Sequence, residues 1–342
     1  MFSKTLFTVL FIAVSTACFS QTSTYHRYII EFIDKENNPY SVTNPSEYLS
    51  QRAIDRRTRY NIAITSNDLP VTPDYVEQVR NTGVKLLNKS KWLNSISIET
   101  DDSLALLEIR AFPFVKSSAP IAPRVSGKRV SKQNESISIA GKASGDHAID
   151  YGKSVDEINM ISGNSLHLQG FRGEGMMIAV FDVGFFNAPN LAVFDTLFSD
   201  GRVLGWWNFV NGDDSVFYDG THGTAVLSTI AANIPGVMVG TAPESSFYLF
   251  KSEDPGSEYP IEEHNWAAAA ERSDSIGVDI ISSSLGYSRF DDTTFNHSYS
   301  DMDGNTTMVT RAADFAASKG MIVCSSAGNE GTKDWYYITA PA

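Results

Sequence analysis

Asp182 closes the apolar run Ile178-Ala179-Val180-Phe181 and is followed by Val183-Gly184. A carboxylate there can orient and stabilise a second catalytic group, or simply close a turn. The row Asp219-Gly220-Thr221-His222-Gly223-Thr224-Ala225-Val226 then places a histidine where a helix would begin. Packing explains such a His poorly, and the Gly after it lets another chain or a ligand approach the backbone closely. A carboxylate at one strand end and an imidazole at a nearby helix start make the orienting half of a nucleophilic triad. In it the Asp fixes the His tautomer and stabilises the imidazolium. His26, His147, His167, His264 and His297 have no comparable setting. A third stretch, Ser325-Ser326-Ala327-Gly328-Asn329-Glu330-Gly331, follows another apolar run. The Asn329 amide can donate to a developing oxyanion, its small neighbours leaving room for substrate. A glycine-rich turn that uses Asn for a left-handed conformation would read the same way.

These positions need a scaffold that brings them together. Residues 176–181 form a continuous apolar run flanked by glycine, as expected of a buried parallel strand. Further strands are expected at 246–250, 278–283 and 321–325, with helices at 222–233, 261–275 and 306–318 between them. Alternating strands and helices predict an α/β fold, a parallel sheet with helices on both faces. In such sheets functional groups gather at the C-terminal strand ends, where Asp182 and the Asn329 stretch fall. Ser154-Val155-Asp156-Glu157 has capping-box spacing ahead of a helix, and a second short helix runs to Gln169 and stops at Gly170. Upstream, a strand from Tyr28, helices at 44–57, 73–82 and 103–109, and strands at 84–87 and 95–99 predict a small α+β unit. Ser46 lies near the start of the first of these helices. Between Lys116 and Asp150 the residues Ser, Lys, Ala, Gly and Pro dominate, with a dibasic Lys128-Arg129. That stretch reads as a linker or a cleavable junction.

With 42% hydrophobic and 20% charged residues the chain is globular, and its 342 residues allow two domains. A net charge of −13 argues against nucleic acid or an anionic membrane as the main partner. Cys18 and Cys324 are the only cysteines, too few for a disulfide framework or a cysteine metal cage. Residues 1–20 follow the signal-peptide pattern: Lys4, an apolar run at 6–14 too short to span a bilayer, then small residues. Cys18 invites a lipoprotein reading, but Ser15-Thr16-Ala17 before it lacks the expected large aliphatic residue. Soluble export follows, to the periplasm or the extracellular space, with no membrane partner.

Taken together and in order, Asp182-Val183-Gly184, His222-Gly223-Thr224-x-Val226 and Ser326-Ala327-Gly328-Asn329-Glu330-Gly331 resemble three of the four blocks of the subtilisin-like serine proteases. Ser283-Ser284-Leu285-Gly286 is similar to the stretch that lines the substrate cleft in that family. The resemblance covers residues 151–342, and the Asp–His–Ser order is that of subtilisin itself. It implies that Asp182 orients His222, that His222 is general base and then general acid, and that Asn329 donates to the oxyanion. It further implies that Ser284, Leu285 and Gly286 bind the substrate backbone. The implied product is a secreted endopeptidase acting on polypeptides without a cofactor. Residues 21–121 would be its prodomain, a partner for its own cleft, and 122–150 the linker or processing region. Val183 departs from the Ser or Thr usual in the family. No Gly-Thr-Ser nucleophile block occurs, so the serine is expected beyond Ala342 and this chain alone is expected to be inactive. The competing reading is a non-catalytic secreted binding module that keeps the fold. A different serine hydrolase would want a Gly-x-Ser-x-Gly elbow, and there is none. Asp301-Met302-Asp303-Gly304-Asn305 has the flavour of a calcium loop, but Ala312 stands where an EF-hand requires Glu. A polar turn before the 306 helix is the plainer expectation, and no metal site is assigned.

Overall fold

The computed structural model describes residues 25–124 and 149–342. The expected signal peptide, Cys18 and the Lys128-Arg129 pair lie outside the described residues. The N-terminal unit is a four-stranded antiparallel sheet in the order β2-β3-β1-β4. Its strands are β1 (Arg27–Phe32), β2 (Lys85–Ser90), β3 (Ser95–Glu99) and β4 (Val115–Ala122). Helices α1 (Gln51–Arg59), α2 (Pro73–Asn81) and α3 (Ser103–Ala111) complete it. Ile30, Ile96 and Ile98 from the sheet pack with Val76 and Val79 of α2 and Ile109 of α3.

Two local expectations are corrected here. Helix α1 begins at Ser50, not near Ser46: the Ser50 side chain accepts the Ala53 N–H at 3.2 Å, satisfying an otherwise free donor. Pro45–Glu47 forms only a 3₁₀ turn. Strand β4 runs through residues whose composition suggested a linker. As an edge strand it needs partners on one side only, so it tolerates Pro120 and buries little besides Ile121 and Ala122.

The second unit is a five-stranded parallel sheet in the order β11-β10-β5-β9-β6. The chain runs through α4 (Val155–Met160) and α5 (Gly163–Leu168) to β5 (Met177–Asp182), α6 (Asp195–Ser199), β6 (Val203–Asn208) and α7 (Thr221–Ala231). A minimal hairpin of β7 (Asn233–Ile234) and β8 (Met238–Val239) leads to β9 (Ser246–Lys251) and α8 (Ile261–Ile276). Then come β10 (Ile280–Ser283), α9 (Met308–Ser318) and β11 (Ile322–Ser325). Alternate residues of β5 face opposite cores. Ile178 and Val180 pack with Leu227 and Ala231 of α7, while Ala179 and Phe181 pack with Trp266 of α8 and Val309 of α9. Strand order reverses beside β5, between β9 and β10, and such a switch point opens a crevice at the C-terminal strand ends. The capping box at Ser154 does not form. Its hydroxyl is buried and donates to the Val239 carbonyl at 2.6 Å, tying α4 to the hairpin instead. Among the described residues no helix is long and apolar enough to cross a membrane.

The N-terminal unit is seated on α8, whose residues are buried almost all round. Trp92 and Leu93 join the core around Trp266, and Ile29 and Ile121 pack on Ile261 of α8, but much of the contact is polar. Asp274 of α8 accepts Arg56 at 2.7 Å, Arg57 at 2.9 Å and Lys91 at 3.1 Å, and Lys319 pairs with Asp68 at 3.1 Å. Glu271 accepts the backbone N–H groups of Lys91 and Trp92, at 2.6 and 2.9 Å. Asn88 donates to Asn265, and Ser95 meets His264 at 3.1 Å.

Candidate active site

Asp182 is the last residue of β5 and is fully buried. The Val183 N–H donates to its Oδ1 at 2.8 Å. Burial pushes its carboxyl above the usual carboxylate range, while the bonds from His222 and Val183 pull it down. His222 is the second residue of α7. Its Nδ1 lies 2.9 Å from both Asp182 oxygens, and its side chain is 58% exposed. An ionised carboxylate only accepts, so Nδ1 carries the proton and Nε2 is left with its lone pair. The same bond holds the imidazole above its ordinary value, against the opposing effect of burial. An imidazole held in this way by an anion can act as a general base toward a hydroxyl brought to Nε2.

Glycines let the two loops meet. A Cβ at position 223 would come within 2.8 Å of Asp182 Cβ, and one at 220, where φ is +79°, within 2.6 Å of the Gly184 backbone. The Gly223 of the motif thus admits the strand end of the protein itself.

β10 and β11 end at the same edge of the sheet as β5. Ser284, Leu285 and Gly286 leave β10 there, with Leu285 packed on the core and Gly286 exposed. The Ser326 N–H donates to the Ser283 carbonyl at 2.9 Å, tying the two loops, and Asn329 follows on the exposed part of the second. Tyr287 and Ala340 exchange backbone bonds at 2.9 and 3.1 Å, so 338–341 lies alongside this wall. Asp301-to-Asn305 is a polar turn. Asp303 accepts the Asn305 and Thr306 N–H groups, both at 2.8 Å, and Asp301 caps Ser298 at 2.7 Å.

Sequence reasoning passed over the end of β9. The Lys251 ammonium donates to both Asp219 oxygens at 2.7 Å. The Ser252 N–H donates to the Asp182 carbonyl at 3.1 Å. Buried Glu253 accepts the Tyr287 hydroxyl at 2.5 Å. Glu253, Glu258 and Glu262 bring carboxylate oxygens together within 4.8 Å. No local pattern announces the Lys251–Asp219 and Glu253–Tyr287 pairs, because the partners lie 32 and 34 residues apart in the chain.

Residues 27–138 match the Peptidase S8 propeptide domain of Bacteroidota, and residues 173–342 match the Subtilase family. Over 232 residues the chain is 32% identical to subtilisin E of Bacillus subtilis, covering 65% of this chain and 52% of that protein. It is 27% identical over 238 residues to the minor extracellular protease Vpr of Bacillus subtilis, covering 67% of this chain and 26% of Vpr. The fold is similar to that of fervidolysin from Fervidobacterium pennivorans, with a TM-score of 0.52 at 16% identity, over 92% of this chain and 41% of that one. The epidermin leader peptide processing protease of Staphylococcus aureus gives 0.50 at 15% identity, over 90% and 61%. The chain spans about half the length of subtilisin E.

Proposed function

Because the chain belongs to the subtilase family, we propose that it is the precursor part of a secreted serine endopeptidase in which Asp182 and His222 activate a serine supplied from beyond Ala342. The observation that carries this reading is the pairing of a buried carboxylate with both its oxygens 2.9 Å from the Nδ1 of an exposed imidazole. Nε2 takes the proton of the serine hydroxyl as its oxygen attacks the peptide carbonyl. Asn329 donates to the oxyanion, and the imidazolium then protonates the leaving amine. Ser284, Leu285 and Gly286 hold the substrate backbone on the wall beside the pair. Residues 1–20 direct export, in keeping with the extracellular relative named above. Residues 21–121 form the prodomain, 122–150 the linker and processing region, and 151–342 the catalytic part.

The test uses the product of the whole gene. A serine-directed covalent inhibitor should abolish peptide hydrolysis, with the label recovered on a Gly-Thr-Ser serine downstream of residue 342. A full-length protein that is folded, unlabelled and without hydrolysis would instead support a binding module that keeps the fold.

A further inference from the structure

The proposed reaction uses Asp182 and His222, and a cation that takes no part in it ties their loops together. Lys251 ends β9, where its Cα is the register partner of Asp182 on one side and of Asn208 on the other. Its side chain is 4% exposed and donates to both Asp219 oxygens at 2.7 Å. A buried ammonium donating to both oxygens of a carboxylate is a charge-assisted contact, stronger than a neutral hydrogen bond. Asp219 stands three residues before His222. It also packs on Gly184, two residues past Asp182: a Cβ at 184 would lie 2.5 Å from the Asp219 carbonyl and 3.0 Å from its Oδ1. Lys251 therefore pins, from the neighbouring strand, the loop lying between the two members of the pair. We propose that Lys251 is a positioning residue for the catalytic pair, setting through Asp219 the loop that presents His222 to Asp182.

The inference rests on the reading of Asp182 and His222 as a general-base pair, so its test needs a readout that does not depend on peptide hydrolysis. Histidine labelled with ¹³C in the full chain reports His222 directly through the pH titration of its imidazole resonances. In Lys251→Met the titration should move to lower pH, because the Asp182 bond that raises it is loosened. Lys251→Arg keeps a cation with donors for both Asp219 oxygens and should lie closer to the parent curve than Lys251→Met. Where the whole-gene enzyme hydrolyses peptides, Lys251→Met should lower kcat about 10- to 100-fold with KM changed less than about threefold. Should Lys251→Met fail to fold, Lys251→Met/Asp219→Asn leaves no unpaired charge and is expected to show the same displaced titration. A parent-like His222 titration in either folded variant overturns the proposal. Absence of hydrolysis in the unsubstituted enzyme would sink the protease reading instead, while the titration still decides the role of Lys251.

Discussion

His222 can take a proton only while its imidazole is neutral, and Asp182 sets how much of it is. Because the Asp182 bond raises the imidazole above its ordinary value, the acid limb of kcat/KM should lie above that value. Asp182→Asn removes the anion and leaves the wrong tautomer in place. It should lower kcat by about 10⁴ and shift the acid limb downward, which a pH–rate profile of the whole-gene enzyme reads. A limb that stays put would show that another group governs it. Glu253 offers a stability test at the same scale. Burial first, and the Glu258 charge next, push its carboxyl from 4.5 up to about 8. Between those values the folded chain keeps a proton that the unfolded chain has lost, so stability falls as pH rises through this window. Glu253→Gln keeps an acceptor for the Tyr287 hydroxyl and cannot ionise. Its urea midpoint should decline less than the parent's between pH 5 and 8, and parallel curves would refute the assignment.

At the scale of elements, the geometry of the proposed catalytic pair depends on how closely α7 approaches the end of β5. A methyl at position 223 would meet Asp182 Cβ at 2.8 Å and Cγ at 3.0 Å, so the helix must move or the strand end must give. Gly223→Ala should cost about 1–3 kcal/mol of stability, the usual range for overpacking. Activity should fall further than stability, because the displaced helix carries His222 away. A midpoint and a rate both equal to the parent's would show that the approach has slack. The same elements explain what could be read in advance. Strands β5 and β9 are buried on both faces, so their apolar runs marked them to within a residue. Edge strand β6 alternates half-buried with exposed positions and β4 is open until Ile121, so neither shows a continuous apolar run. The Asp182 and His222 blocks were legible because strand end, helix start and glycine all lie within a few residues of the functional group. Lys251 was not, since a lysine after an apolar run reads as a solvated strand end until the fold brings Asp219 to it.

For the whole molecule, the way α8 is covered decides what the N-terminal unit does. One side of the helix carries Trp266 and Ala270 into the core under the parallel sheet. The other presents His264, Asn265, Glu271 and Asp274 to the N-terminal unit, where all four are buried and hydrogen-bonded. A folding chain that lacked this unit would have to leave that polar row to water. Glu271 would lose the N–H groups of Lys91 and Trp92, and Asp274 the three cations Arg56, Arg57 and Lys91. α8 would lose the surface that fixes it while the parallel sheet is still assembling, and parallel sheets are slow to form because their pairings are non-local. Expression of the whole gene without residues 21–121 should therefore give little folded or active product. Adding that segment as a separate chain should restore activity, and Asp274→Ala in the catalytic part should weaken the rescue. Losing one side of a buried ion cluster typically costs about 3–5 kcal/mol, enough to demand a far higher concentration of the added segment. Equal yield and activity with and without residues 21–121 would make the unit an accessory domain, and its polar seat on α8 a contact that folding does not need.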